Sequence, residues 1–148
     1  MPLTLKHLDQ VVAIECASFS DPWTRGMFAS ELSVPQLGFA RAAMREDRLV
    51  GYLFAVLIPE EAHLGNLAVD PDERRCGIAQ RLLDALVDEA RKEGVTRLTL
   101  EVRETNEIAR KFYYHNGFMD IAIRKNYYQS PVEDAIVMYR GLPEDPSG

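Results

Sequence analysis

Two hydrophobic periods take turns along this chain, and their order outlines a fold before any single residue is weighed. The clearest helical stripe follows Gly77: Ile78, Leu82, Leu83, Leu86, Val87 and Ala90 fall on one side, while Arg81, Asp84, Asp88, Glu89 and Arg91 fill the other. Gly94 stands where a C-terminal cap glycine belongs. Residues 97–103 switch to a period of two, with Leu98, Leu100 and Val102 alternating with Thr99, Glu101 and Arg103, which predicts a half-buried strand. A helix over 106–116 comes next, with Ile108, Ala109, Phe112 and Tyr113 inward, and Asn116-Gly117 ends it.

The flanks are read the same way. Residues 8–19 place Leu8, Val11, Val12, Ile14 and Phe19 at helical spacing until Ser20-Asp21-Pro22 stops them, and a second helix over 24–32 has Thr24 as its N-cap. Residues 38–45 and 49–58 are strand-like runs around the turn Glu46-Asp47-Arg48, and 62–69 is a third after Pro59-Glu60-Glu61. Further strands are predicted at 118–123, at 135–139 and, as a short edge strand, at 3–5. The expectation is a mixed α/β fold with a central sheet of about seven strands and helices on both faces. In it 97–103 lies parallel to 62–69, because a helical crossover joins them. One domain spans 1–141, and 142–148 has no packing signal and is expected to fray.

Composition narrows the function. With 148 residues, 47% hydrophobic and 27% charged, the chain can bury one core. A net charge of −6 argues against general affinity for nucleic acid or anionic membranes, and no apolar run approaches a membrane span or a signal peptide, so a cytoplasmic location is expected. Two cysteines, Cys16 and Cys76, make no disulfide framework, and no Cys/His set has metal-ligand spacing. The reading is no metal, no nucleic-acid or membrane partner, and an undetermined oligomeric state.

The chemistry centres on residues 67–83. A strand ending at Leu67, Ala68 and Val69 leads through Asp70-Pro71-Asp72 into Arg74-Arg75-Cys76-Gly77 and straight into the amphipathic helix. Free backbone N–H groups and the positive end of the helix dipole converge there, which predicts an anion site whose occupant is a pyrophosphate. The spacing Arg74-x-x-Gly77-x-Ala79 lacks the Lys-Ser/Thr of a nucleoside-triphosphate loop and the three glycines of a dinucleotide fold. By itself the alternative is a helix that starts at a small residue.

This loop resembles the [Gln/Arg]-x-x-Gly-x-[Gly/Ala] motif of the GNAT acetyltransferases, and the element order matches that fold over nearly the whole chain. The segment Leu100-Glu101-Val102-Arg103-Glu104-Thr105-Asn106, with Ala109, Tyr113 and Gly117-Phe118, looks like the family's second acetyl-CoA motif. Pro22-Trp23-Thr24, Asn66-Leu67-Ala68-Val69-Asp70-Pro71, Arg124-Lys125-Asn126-Tyr127-Tyr128 and Glu133-Asp134-Ala135 are similar to the RimI-like branch, which acetylates the N-terminal alanine of small-subunit ribosomal protein eighteen. Ala79 in place of the commoner glycine is a mild departure. The resemblance implies acetyl-CoA as cosubstrate, a protein or peptide N-terminus as acceptor, and direct attack of the amine in a ternary complex.

Site residues follow from it. Arg74, Arg75, Cys76, Gly77, Ile78, Ala79 and Gln80 would hold the pyrophosphate, chiefly through backbone N–H groups. Leu67, Ala68 and Val69 would offer backbone donors to the oxyanion, and Asn106 would contact the pantetheine arm, cap its helix, or do both. An α-amine, with a reference pKa of about 7.7 to 8.0 against about 10.4 for lysine, needs only a modest base. Glu101 occupies the base position; an ordinary exposed strand glutamate is the bland alternative. Tyr113 is the acid candidate for the departing thiolate, with Tyr114 its outward neighbour and a core aromatic the alternative.

Cys76 tempts as a nucleophile, but its place in the diphosphate loop favours direct transfer without a covalent intermediate. His63 is a rival base, for which a half-buried strand histidine is the plainer reading. Phe19, Trp23 and Phe28 are either core aromatics or the lining of a substrate entrance. Glu104, Glu107, Glu133, Asp134, Tyr127 and Tyr128 form either a rim for a cationic peptide or a solvated acidic face. The alternatives are acetylation of lysine or a small amine, and a non-catalytic acyl-CoA-binding domain.

Overall fold

The computed structural model describes residues 1–33, 38–74 and 76–143. Its described elements are α1 (Leu8–Ser18), α2 (Arg25–Leu32), β1 (Gly38–Arg45), β2 (Arg48–Ile58), β3 (Glu61–Val69), α3 (Ile78–Lys92), β4 (Arg97–Arg103), α4 (Glu107–His115), β5 (Met119–Gln129) and β6 (Val132–Gly141). The strands form one mixed sheet in the order β1-β2-β3-β4-β6-β5, in which β3 and β4 are parallel and the other pairs antiparallel. The parallel pair is the one joined by the α3 crossover.

Each face of the sheet carries its own core. On one, Ile78, Leu82, Leu83, Leu86, Val87 and Ala90 of α3 pack with Tyr113 of α4 against Leu53, Leu64, Leu98 and Leu100. Each large aliphatic side chain buried there contributes about 1.5–3 kcal/mol. On the other face, Leu8, Val11 and Ile14 of α1 and Phe28 of α2 cover Leu49, Tyr52, Phe54 and Ala68. Thr24 caps α2 by accepting the Met27 N–H at 3.2 Å. No helix among the described residues is long and apolar enough to cross a membrane.

Four sequence expectations are corrected. The sheet has six strands among the described residues rather than about seven. Leu5–His7 is a 3₁₀ turn, and this end meets β1 through an isolated bridge between Pro2 and Arg41 rather than through a strand. Ile108 faces outward, 82% exposed, because Tyr113 sets the inward phase of α4. Strand β5 runs on to Gln129, its exposed side chains hiding it from a burial pattern. Leu142 does not fray: it is buried, and its N–H donates to the Thr96 carbonyl at 2.7 Å. Residues 144–148 of the expected tail lie outside the described residues.

Candidate active site

The site begins with one extra residue. Phe54 of β2 pairs with Asn66 and Ala55 pairs with Leu64, so Gly65 has no opposite number and β3 bulges there. The bulge inverts the alternation: Ala62 and Leu64 face the α3/α4 core, whereas Asn66 and Ala68 face α1 and α2. It also bends β3 away from β4, whose pairing stops at Leu64 opposite Leu100. Gly65 is required by close approach, since a Cβ there would lie 3.4 Å from the Trp23 ring and 3.5 Å from the Phe54 carbonyl oxygen.

Through the gap runs a cavity of about 150 Å³ lined from both faces, with Glu15, Phe19 and Trp23 on one side and Asn106, Ala109 and Tyr113 on the other. The three amino-terminal aromatics therefore divide. Phe28 is core, while Phe19 and Trp23 line the cavity.

On the α1/α2 face, Glu101 meets His63 and Arg124. The His63 Nε2 lies 2.6 Å from Glu101 Oε2, and the Arg124 Nε lies 3.7 Å from Oε1. The parallel register sets His63 opposite Thr99, and the residues of β3 and β4 that alternate with the core leucines share this face. The hydrogen bond to Glu101 lifts the His63 pKa above its ordinary value against the opposing effect of burial. That same bond, ahead of the charges of His63 and Arg124, holds Glu101 below the usual glutamate value. One contact drives both shifts, so the two groups titrate as a pair. Glu101 is thus not a lone carboxylate, and proton-accepting capacity belongs to it and His63 together.

The β5–β6 hairpin closes this side. A second register shift, between Arg124 and Tyr128, contains Asn126 at φ 52°, and it turns Tyr128 onto the cavity. Asp134 holds that shift by accepting the Asn126 N–H at 2.9 Å and the Lys125 ammonium at 3.0 Å. Glu133 accepts from Arg103 at 3.1 Å and from the Thr105 N–H at 2.7 Å. Of the expected acidic rim, these two carboxylates are engaged within the fold. Arg103 also stacks 4.3 Å over the Tyr128 ring.

On the α3/α4 face, Gly77 is the left-handed N-cap of α3 at φ 76°, has no side-chain cap, and opens onto a first turn without acidic residues. The N–H groups of the first helical residues, Ile78, Ala79 and Gln80, precede the first α-helical bond, from Arg81 N–H to the Gly77 carbonyl at 3.1 Å. The Ile78 side chain is core, and the Gln80 and Asn116 amides exchange bonds of 2.7 and 3.1 Å that tie the start of α3 to the end of α4. Glu73, just upstream, is held by Arg45 and Arg48 and so directed away from the helix end. Arg74 and Cys76 are exposed, and Arg75 lies outside the described residues.

Tyr113 is 8% exposed and lines the cavity with its ring against Phe112 and Phe118, and burial raises its pKa. Tyr114 instead bonds Asp120 at the surface. Asn106 caps α4, accepting the Ala109 N–H at 3.2 Å, and also lines the cavity. Leu67, Ala68 and Val69 remain paired to β2, on a strand whose other edge has, among the described residues, no ladder partner beyond Leu64. Among the described residues no group of three His, Cys, Asp or Glu side chains is placed to hold a metal ion.

Sequence reasoning missed Glu15. It is 1% exposed, and its carboxylate accepts from the Tyr52 hydroxyl, from the Asn66 amide at 2.8 and 3.0 Å, and from the Trp23 N–H at 2.8 Å. The signal was present: Glu15 continues the inward series Leu8, Val11 and is an acid on an apolar face.

Residues 8–118 match the family described as Acetyltransferase (GNAT). The chain is 35% identical over 136 residues to the [ribosomal protein bS18]-alanine N-acetyltransferase of Haemophilus ducreyi, covering 90% of this chain and 92% of that one. It is 38% identical over 127 residues to the enzyme of the same name from Escherichia coli K12, covering 84% of each. The crystal structure of the Escherichia coli ribosomal-protein-S18-alanine N-acetyltransferase superimposes with a TM-score of 0.88 at 32% identity, over all of this chain and 96% of that one.

Proposed function

The chain belongs to the acetyltransferase (GNAT) family, and from that premise we propose that it moves the acetyl group of acetyl-CoA onto the α-amine of a protein N-terminus in the cytoplasm, the substrate being the N-terminal alanine of ribosomal protein bS18. The observation that carries this reading is the cavity through the sheet: Glu101, bonded to His63, lines it from one face, and Tyr113, on the same face as the uncapped start of α3, lines it from the other. Two reactants approaching from opposite faces meet in the gap, which is what transfer in a ternary complex requires.

Acetyl-CoA supplies the thioester whose carbonyl carbon is attacked. The residues present suit it: Gly77 opens an uncapped helix end for a pyrophosphate, and the open edge of β3 at Leu67, Ala68 and Val69 offers backbone groups to a developing oxyanion. The amine nitrogen forms its bond to the acetyl carbon as the carbon–sulfur bond breaks, and the nitrogen's proton passes to the His63–Glu101 pair. Tyr113, which burial keeps protonated, donates a hydrogen bond to the leaving sulfur rather than surrendering its proton outright, because burial makes it a weaker acid. Cys76 is exposed in the loop and absent from the cavity lining, which supports direct transfer.

The deciding assay offers one peptide with a free N-terminal alanine and one with a blocked N-terminus and an internal lysine, locating the acetyl group by mass spectrometry. Only the free α-amine should be modified. Modification of lysine alone would reassign the acceptor, and silence on both with CoA still bound would favour a binding domain. Tyr113→Phe should lower kcat about 10- to 100-fold, the worth of one hydrogen bond to a charged group, with CoA affinity unchanged by calorimetry. Gly77→Val should do the converse. A left-handed residue with a branched Cβ costs about 1–2 kcal/mol, so the KM for acetyl-CoA should rise about tenfold while acceptor binding holds.

A further inference from the structure

We propose that Arg124 neutralises the acceptor subsite so that the incoming amine is bound as its uncharged free base. This deepens the acetyltransferase reading above and rests on it. Both oxygens of Glu101 already face donors, Oε2 the His63 Nε2 at 2.6 Å and Oε1 the Arg124 Nε at 3.7 Å. The Glu101 side chain is 11% exposed and that of Arg124 is 58% exposed, so the carboxylate is buried beneath a guanidinium that reaches solvent.

The surrounding charges do not restore a negative field at that carboxylate. On β3, Glu61 is paired with Arg97 at 3.0 Å. On β4 and β6, Arg103 is paired with Glu133 at 3.1 Å, and on β5, Lys125 is paired with Asp134 at 3.0 Å. Tyr113 of α4 and Tyr127 and Tyr128 of β5 are pushed up by burial and stay neutral. On α1, Glu15 is saturated by Tyr52, Asn66 and Trp23. Asp21, in the loop after α1, accepts the Gln129 N–H at 3.4 Å.

An ammonium arriving beside Glu101 therefore meets a carboxylate whose charge Arg124 offsets, and it gains little. That outcome favours turnover. A protonated amine has no lone pair, and holding it tightly would stabilise an unreactive ground state without stabilising the transition state. An α-amine with a pKa of about 7.7 to 8.0 is free base in roughly one molecule in six to ten at pH 7, enough to feed such a site.

The test is the Kd of an alanine-terminated peptide for the enzyme saturated with CoA, measured by calorimetry across pH 6.5–9 for the wild type, Arg124→Gln and Arg124→Lys, with kcat profiles alongside. The wild-type Kd should fall about tenfold from one unit below the amine's pKa to one unit above it, as expected for a site that binds the free base. Arg124→Gln should flatten that dependence to less than about twofold by binding the ammonium. Its kcat should lose activity at higher pH on the acid side, because Arg124 holds the protonated forms of both Glu101 and His63 down. Arg124→Lys should behave as wild type. A wild-type pH dependence retained in Arg124→Gln, or Arg124→Lys behaving like Arg124→Gln, overturns the charge role while leaving wild-type acetylation intact. A wild type that modifies no α-amine at any pH overturns the functional reading and this inference with it.

Discussion

Glu101→Gln should lower kcat/KM on an alanine-terminated peptide by about 10²–10³-fold, within the range that a positioned general base contributes. The amide keeps the shape of the side chain and can still meet His63, so CoA affinity and thermal stability should be nearly unchanged. What it loses is the charge that lifts His63. In the wild type the hydrogen bond to Glu101 raises the histidine pKa, so the pair is fully proton-loaded below the ordinary histidine value and becomes free to accept as pH climbs through the raised one. With glutamine at 101 that support vanishes and the acid side of the kcat/KM profile should move to lower pH, with the small remaining activity carried by an ordinary imidazole. A variant within threefold of wild type would remove Glu101 from proton transfer. A large loss with an unmoved profile would leave Glu101 in place and remove His63 from the pair.

That pairing marks where the sequence stops being legible. The α3 stripe and the alternation of β4 are local periods that the structure repeats residue by residue, while in α4 it keeps Tyr113 inward and turns Ile108 out. Glu101 could be singled out because a motif surrounds it. Its pairing could not: His63, named as a rival base, is 38 residues away, and Arg124 lies on a strand that alternation ended at 123. Gly65 is invisible for a related reason. A bulge is defined by what stands opposite on β2, so the residue that opens the gap looks like any glycine in a strand. Glu133 and Asp134 show the opposite failure. Their acidity suggested a rim, yet their acceptors' work is to hold Thr105, Arg103 and the Asn126 turn, bonds that composition cannot distinguish from solvation.

Glu15→Leu should destabilise the fold by about 3–5 kcal/mol, the combined cost of leaving three donors around it without their acceptor. The leucine fits the apolar face of α1, so the penalty is polar. The Tyr52 hydroxyl, the Asn66 amide and the Trp23 N–H all lose their acceptor at once, and each orphaned buried donor costs about 1–3 kcal/mol. For a chain of this length that predicts a drop in Tm of roughly 10–15 °C by calorimetry. Tyr52→Phe on its own should cost less, and on the Glu15→Leu background it should cost almost nothing or recover stability, because it then deletes a donor with nothing to bond. Equal effects of Tyr52→Phe on both backgrounds would mean the network is not a unit. The same carboxylate also holds Trp23 over Gly65 and Asn66 beside the bulge, so at a temperature where Glu15→Leu is still folded its peptide KM should rise while its CoA affinity stays put. The stability of the α1 face and the shape of the acceptor side of the cavity are thus set by one buried acid.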